Sequence, residues 1–288
     1  MPQKSVYLKQ RGSLCDFRTL DAWIILSPIE QSIKQKIEAV GTPLKDWDIQ
    51  INYGIKTGCN EAFIIDSDKR NKILENCLTD DEKKRTADLI RPILRGRDIK
   101  RYGYQWADLW LINTHNGVKG KIDRINVEDY PAVKAHLDQF WDKVSNRADK
   151  GDTPYNLRNC AYLEDFNKPK IIYSEIVREP QFYLDENGEF FPEATTFLMT
   201  GDRLKYLYNI FHTRAFTYFF KRFYAGGGLG GDGYRYKKAF FEITPIPKIF
   251  GTFNQMEIEK ADEHTDIEEH FLAMFNFTEE ELQFIREQ

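Results

Sequence analysis

Apolar residues follow helical or alternating spacing along most of the chain. In SPIEQSIKQKIEAVG they repeat every three or four positions from Ile29 to Val40, which predicts a helix that ends at Gly41. In DIQINYGIKTGCNEAFIID two apolar, β-rich runs flank a polar segment with Gly54 and Gly58. This second pattern predicts two strands joined by a loop.

The middle of the chain continues the mixture of helices and strands. The pattern over residues 68–90 predicts helix, which ends before Pro92, and the later stretch YGYQWADLWLIN has the composition of a strand. An amphipathic helix is predicted over about 129–147, KPKIIYSEIV reads as a buried strand, and QFYLDENGEFF predicts a hairpin turning at Asn187 and Gly188.

The last third of the chain favours helices. RLKYLYNIFHTRAFTYFFKRF predicts two helical segments that break near His212 and Thr213, and Thr278 with Glu281 forms a capping box in FTEEELQFIREQ. Helices and strands do not alternate as β-α-β units, so we expect an α+β fold of mixed irregular sheets and packed helices. The expected parts are an N-terminal lead-in (1–20), a main domain (21–254) and an acidic helical tail (255–288).

Composition supports a globular protein without a membrane segment. Hydrophobic residues make up 41% of the 288 positions, enough for a buried core. No apolar run approaches the roughly 20 residues that cross a bilayer, and MPQKSVYLKQRGS has no signal-peptide stretch, so we expect a cytoplasmic protein. The four cysteines lack a C-x-x-C pair, and we expect no metal site and no disulfide framework.

Charge is distributed unevenly along the chain. The formal net charge is −4, but residues 255–288 hold 11 acidic and two basic residues and carry −9. Residues 1–254 therefore carry +5. A mildly basic body is compatible with a nucleic-acid partner, whereas the acidic tail could instead dock a basic protein.

A glycine-rich loop in YAGGGLGGDGYRYKK contains a G-x-G-x-x-G pattern. In dinucleotide-binding folds such glycines follow a strand and open a helix, but here they follow the helical RAFTYFFKRFY and precede the extended YRYKK. A Walker pattern fails because Asp232 and Gly233 follow Gly231. We expect a flexible loop near DNA rather than a nucleotide site, formed by Gly226, Gly227, Gly228, Gly230 and Gly231.

Aromatic and basic residues alternate directly after this loop, at Tyr234, Arg235, Tyr236, Lys237 and Lys238. The cations can neutralise DNA phosphates and the tyrosines can stack on bases or donate hydrogen bonds, so we expect all five to contact DNA. The alternative is an edge strand with a solvated charged face.

Two further segments supply candidate DNA contacts. RPILRGRDIKR presents Arg91, Arg95, Arg97, Lys100 and Arg101, opposed only by Asp98. Guanidinium groups bind phosphates or guanine edges bidentately, although a solvated turn with local ion pairs would have the same composition. The loop GIKTGCN adds Lys56, Thr57 and Asn60, which could contact DNA or cap the turn. For base readout we expect Arg95, Arg97, Arg235 and Lys237.

Catalytic motifs are missing from the sequence. It contains no G-x-S-x-G, no H-E-x-x-H and no Asn/Asp/Ser-Pro-Pro-aromatic motif of an amino-methyltransferase. This favours a binding function. An autonomous nuclease or nucleotide-dependent enzyme that uses the glycine loop with Glu175 and Asp232 stays open as an alternative.

Six blocks, in this order, resemble the TaqI-like C-terminal specificity domain, which is the target recognition part of adenine-specific DNA methyltransferases and of type IIG restriction enzymes. They cover roughly residues 21–249 and are WDIQINYGIKTGCNEAFIID, LIRPILRGRDIKRYGY, WLINTHNG, YPAVKAHLDQF, KPKIIYSEI and YRYKKAFFEITPIPKI.

The resemblance implies that residues 21–254 recognise a specific sequence in duplex DNA and are not catalytic alone. S-adenosylmethionine, with Mg²⁺ as a second candidate cofactor, is then expected in a separate catalytic methyltransferase part, and no cofactor is expected in this chain. That part would be joined in cis or bound as a subunit, and we favour a fragment of a larger enzyme. No heptad pattern suggests dimerisation, so we expect a monomer.

Overall fold

The computed structural model describes residues 25–226, 232–248, 250–262 and 265–288, which form two compact units. Unit 1 comprises the described residues up to Asp48 together with Lys205–Gln288, and unit 2 comprises Ile49–Leu204. Helices mix with several small sheets, so the predicted α+β class is confirmed. The expected lead-in, 1–20, lies outside the described residues. Within the described ranges no helix is long and apolar enough to cross a membrane.

Unit 2 is built around two four-stranded sheets. The first is antiparallel throughout and has the order β10 (Phe182–Asp185), β8 (Lys170–Ser174), β12 (Thr196–Gly201) and β2 (Ile49–Tyr53). The second combines a parallel β11–β4 pair with antiparallel pairs and has the order β11 (Phe191–Pro192), β4 (Ile90–Leu94), β7 (Leu109–Ile112) and β3 (Ile64–Asp66). Strand β8 is buried along its whole length, as its apolar run predicts.

The other elements of unit 2 are short. They are the helices Asn60–Phe63, Ser67–Glu75, Asp80–Leu89, Pro131–Asp138 and Trp141–Asn146, the 3-10 turns Gly96–Asp98, Val127–Asp129 and Leu163–Asn167, and the strands β5 (Ile99–Lys100), β6 (Gly103–Tyr104) and β9 (Ile176–Val177).

Unit 1 is mainly helical. Its first helix, Pro28–Val40, begins at a capping box of Ser27 and Glu30 and ends where Gly41 turns into an extended strand, as predicted. The other elements are the 3-10 turn Leu44–Asp46, the helices Leu204–Phe211, Arg214–Phe219, Lys238–Phe241, Phe253–Lys260, Glu268–Leu272 and Glu279–Arg286, a π-helical turn Phe220–Tyr224, the antiparallel pair β1 (Gly41–Pro43) and β14 (Pro245–Pro247), and β13 (Tyr234–Arg235).

The acidic C-terminal stretch is packed into unit 1. The predicted capping box of Thr278 and Glu281 is present. The Glu281 carboxylate also accepts hydrogen bonds from Ser32 Oγ and Lys36 Nζ, both at 2.6 Å. Although burial acts to raise its pKa, these donors hold the pKa of Glu281 at about 2. The helix Glu279–Arg286 is therefore held to the first helix of unit 1 by a charged, hydrogen-bonded contact.

Two local expectations were wrong. Gly188 has a positive φ of 66° in the predicted turn, but β10 pairs with β8 and β11 pairs with β4, so no hairpin forms there. Here pairing with distant strands overrides a locally plausible connection. The helix predicted over 129–147 is two helices broken at Gln139 and Phe140. The two strands predicted around GIKTGCN are present as β2 and β3, and they enter different sheets.

Candidate nucleic-acid interface

The basic segment RPILRGRDIKR of unit 2 leads through the 3-10 turn Gly96–Asp98 into a short hairpin, β5–β6, which carries Lys100 and Arg101. Its base is held by Arg95, whose guanidinium binds the Asp98 carboxylate bidentately at 2.9 and 2.8 Å. The Asp98 carboxylate also accepts from the Arg95 main-chain N–H at 2.9 Å. Burial acts to raise the pKa of Asp98, but the Arg95 hydrogen bonds lower it overall. The only acid in the segment is therefore already neutralised by Arg95.

The hairpin is seated on unit 2 through apolar contacts. Ile99 is fully buried in a small cluster with Leu94, Ile172 and Phe190. On the paired strand, the Tyr104 ring lies 4.6 Å from the Tyr183 ring and 4.7 Å from the Phe190 ring. Because side chains alternate along a strand, a buried Ile99 turns Lys100 outward. These apolar contacts fix the orientation of the hairpin and therefore decide which of its side chains project into solvent.

The projecting side chains are cationic. Arg97, Lys100 and Arg101 are exposed. Lys100 Nζ donates to the main-chain carbonyl of Arg97 at 2.7 Å, and in the described part of the chain neither residue forms an ion pair with a carboxylate. Tyr102 occupies the turn with a φ of +64°, which is strained for a bulky residue and often marks a functional position. This cationic tip, Arg97 to Tyr102, is the candidate DNA contact of unit 2.

The remaining arginine of the cluster lies elsewhere. Arg91 is in β4, half-buried, with its guanidinium carbon 5.3 Å from the centre of the Phe191 ring. Its Nε is buried without a hydrogen-bond partner. Arg91 packs against the sheet, so it is set apart from the tip, and Arg95 is committed to Asp98.

The GIKTGCN loop has one exposed cation and a buried threonine. Lys56 Nζ pairs with Asp149 at 2.7 Å. Of the two roles expected for Thr57, a DNA contact or a cap of the turn, the structure has the second. Thr57 is buried, and its Oγ1 donates to Asn60 Oδ1 at 2.5 Å and accepts from the Cys59 main-chain N–H at 3.2 Å. Its assignment as an exposed DNA contact is therefore corrected, because the side chain points into the turn. Asn60 itself is exposed.

A cleft of about 240 Å³ lies next to this loop. Its walls come from the end of β2, from residues 158–162 and from Ala194. Arg158 lies at the cleft and shares Asp149 with Lys56, at 3.4 Å. No sequence pattern marks Arg158 as a site residue, because it lies 102 positions after Lys56 in the chain and only the fold brings the two side chains together.

In unit 1 the side chains of YRYKK alternate between a buried and an exposed face, and the tyrosines are the buried ones. Tyr234 and Tyr236 are 1% and 0% exposed. Their hydroxyl oxygens lie 3.2 Å apart, and the Tyr236 ring packs 4.7 Å from Phe220. The expectation that they stack on DNA bases is corrected, because a fully buried ring has no free face. Arg235 and Lys237 are exposed on the other side, and Lys238 is half-buried beside Glu242.

The glycine loop lies mostly outside the described residues. Gly227, Gly228, Gly230 and Gly231 fall there, and Gly226 has a positive φ of 69°. A Cβ at Gly226 would lie 2.6 Å from the Phe240 ring, so glycine is required at this position. Among residues 25–226, 232–248, 250–262 and 265–288 there is no group of three or more metal-ligating side chains.

Curated relatives of the chain are DNA methyltransferases, whereas no family model matches it. Type II methyltransferase M.BstVI of Geobacillus stearothermophilus is 22% identical over 284 residues, which cover 93% of this chain and 46% of that protein. M.PaeR7I of Pseudomonas aeruginosa is 22% identical over 63% of this chain and 29% of its own length. M.MjaIV of Methanocaldococcus jannaschii is 25% identical over 69% of this chain and 64% of its own length. The chain therefore spans less than two thirds of these relatives and is weakly homologous to them.

Two solved structures share the fold. The type IIL restriction-modification enzyme MmeI, solved in complex with DNA, matches 85% of this chain with a TM-score of 0.54 and 12% identity, over 32% of the MmeI chain. The type IIG restriction endonuclease BpuSI matches 90% with a TM-score of 0.54 and 11% identity, over 31% of its chain. At these identities the likeness concerns architecture, and it places this fold inside larger restriction-modification enzymes.

Proposed function

We propose that this chain is the duplex-DNA recognition part of an adenine-N6 DNA methyltransferase or type IIG restriction-modification enzyme and is not catalytic alone. The weak homology to type II methyltransferases and the fold shared with two restriction-modification enzymes support this proposal. So does the TaqI-like order of sequence blocks. The partners would be duplex DNA and a catalytic methyltransferase part that holds S-adenosylmethionine.

The cationic tip of the β5–β6 hairpin is the observation that carries the proposal. Its single carboxylate, Asp98, is bound by Arg95, so the exposed Arg97 and Lys100 retain their positive charge for an outside partner, and Arg101 adds a third exposed cation to the tip. A narrow two-stranded ribbon fits the major groove of B-DNA, where guanidinium groups read guanine. We assign base readout to Arg97 in unit 2 and to Arg235 and Lys237 in unit 1, with Arg95 as a positioning residue.

Removing the charges of the tip tests this assignment. The triple variant R97A/K100A/R101A should bind short duplexes at least about 30-fold more weakly, because it loses three phosphate or base contacts. The slope of log affinity against log salt concentration should fall by about 2 to 3. Fluorescence anisotropy at about 50 and 200 mM salt measures both quantities.

The matched control changes two exposed lysines of the same unit. Lys83 and Lys84 lie on the helix Asp80–Leu89, beside acidic residues, and form no ion pair within the described residues. K83A/K84A should bind DNA within about twofold of the unmodified protein, since exposed charges outside the interface act weakly. Equal affinity of the triple variant and this control would refute the role of the tip.

A further inference from the structure

The cleft beside the GIKTGCN loop combines an exposed aromatic ring, small lining residues and two cations. Tyr53 is 54% exposed at the end of β2, and its ring packs against that of its cross-strand neighbour Phe197, with ring centres 4.8 Å apart and planes tilted by 41°. An exposed ring that is held by a second ring is a preformed stacking surface, since it loses little side-chain freedom when a base stacks on it.

Three of the residues that line the cleft are small, namely the buried Gly54 and the exposed Ala161 and Ala194. A Cβ at Gly54 would lie 2.0 Å from the main-chain oxygen of Glu193, so the backbone at this point tolerates only glycine. Small lining residues leave room for a flat ring. At about 240 Å³ the cleft is smaller than the roughly 300–1,000 Å³ of pockets for drug-sized ligands, which favours an occupant of the size of one nucleobase.

The charges at the cleft favour an anion beside that base. Lys56 and Arg158 share the single carboxylate of Asp149, at 2.7 and 3.4 Å, so the trio carries a net positive charge. The two cation side chains are 54% and 53% exposed and can turn toward a phosphate. Asn159 adds a polar side chain to the same wall.

We propose that this cleft holds one unstacked nucleotide of the bound DNA, with its base on Tyr53 and its phosphate beside Lys56 and Arg158. The inference rests on the proposed function, because the nucleotide is delivered by a bound duplex. A base that stays paired and stacked cannot enter a recess of this kind, so the cleft distinguishes DNA with an unpaired nucleotide from fully paired DNA.

Binding of matched duplexes with and without a single unpaired adenosine tests the proposal. The unmodified 288-residue chain should bind the bulged duplex about tenfold more tightly, the typical contribution of one base stacked on an aromatic ring. Y53F should keep this preference, because phenylalanine retains the stacking face. Y53A and A194L should lose it, the first by removing that face and the second by placing a larger side chain in the lining of the cleft, and both should bind the paired duplex normally.

A fluorescent base separates a direct role of Tyr53 from an indirect one. With 2-aminopurine as the unpaired nucleotide, stacking on Tyr53 should quench the emission in the unmodified protein and in Y53F but not in Y53A. Equal affinity for bulged and paired duplexes, or a preference that survives in Y53A and A194L, would overturn the cleft proposal while leaving the proposed function intact. Failure of the unmodified chain to bind the paired duplex would instead count against the proposed function itself.

Discussion

Replacing Arg147 by methionine should lower the free energy of unfolding of unit 2 by about 3–5 kcal/mol, because it strips a buried cation from the carbonyls that it holds. Arg147 is 6% exposed and donates to the main-chain oxygens of Asp149 at 2.7 Å, Pro154 at 3.0 Å and Asn156 at 2.5 Å, and also to that of Thr57. Methionine fills similar space but donates nothing, so these carbonyls lose their partner.

The contacts of Arg147 link this prediction to the candidate site. By holding Thr57 and Asp149 at once, Arg147 fixes the loop that carries Lys56 and the carboxylate that Lys56 binds. Its guanidinium also lies 4.4 Å from the centre of the Phe63 ring. We therefore expect R147M to loosen the GIKTGCN loop as well as to destabilise the unit.

Urea unfolding followed by tryptophan fluorescence measures the effect, since Trp106, Trp110 and Trp141 belong to unit 2. The matched control is R124M, which removes an exposed arginine paired with Asp152 at 3.3 Å. An exposed pair of this kind contributes at most about 1 kcal/mol. If R147M lowered the free energy of unfolding by no more than R124M does, the account of Arg147 as the link between these loops would be wrong.

Replacing Lys170 by methionine should be the other strongly destabilising change, by about 3–5 kcal/mol. Lys170 and Asp185 are 0% and 1% exposed and pair at 2.7 Å across strands β8 and β10. The Asp185 carboxylate also accepts from the main-chain N–H groups of Glu189 and Phe190, both at 2.9 Å. K170M would leave a buried carboxylate without its cation.

The double variant K170M/D185N provides the test of this mechanism. Glu189 donates to Oδ1 of Asp185 and Phe190 donates to Oδ2, so asparagine keeps an oxygen for only one of the two N–H groups. Because it carries no charge, the double variant should still recover part of the stability lost in K170M. Chemical unfolding of the single and double variants gives the comparison. A double variant as unstable as K170M would show that packing, and not the unpaired charge, sets the cost.

The sequence predicted local periodicity better than it predicted which face is buried. YRYKK was expected to place all five side chains on DNA, but the alternation of its residues puts Tyr234 and Tyr236 in the core and leaves Arg235 and Lys237 exposed. That the tyrosines face inward depends on Phe220 and Phe241, whose packing is set by the surrounding helices of unit 1. From composition alone, exposed tyrosines that contact DNA were as reasonable an expectation as tyrosines buried in the core.

Long-range pairing explains the other differences. A local ion pair within RPILRGRDIKR was one of the two expectations, with Arg97 as the partner of Asp98, whereas in the structure Asp98 pairs with Arg95, three residues before it. No sequence rule relates Arg147 to the carbonyls that it holds, or Arg158 to Lys56 across the cleft. These contacts depend on the paths of loops between sheets, which single-sequence patterns do not encode.

Selection of bound duplexes from a randomised pool by this chain, at low and near-physiological salt, tests the central claim most directly. If recognition is sequence-specific, the bound duplexes should be enriched in one asymmetric DNA sequence that contains adenine, and this enrichment should persist at the higher salt concentration. The R97A/K100A/R101A variant should lose that enrichment. Binding that disappears at the higher salt without any enriched word, or no binding at either salt, would contradict the assignment of this chain as a duplex-DNA recognition domain.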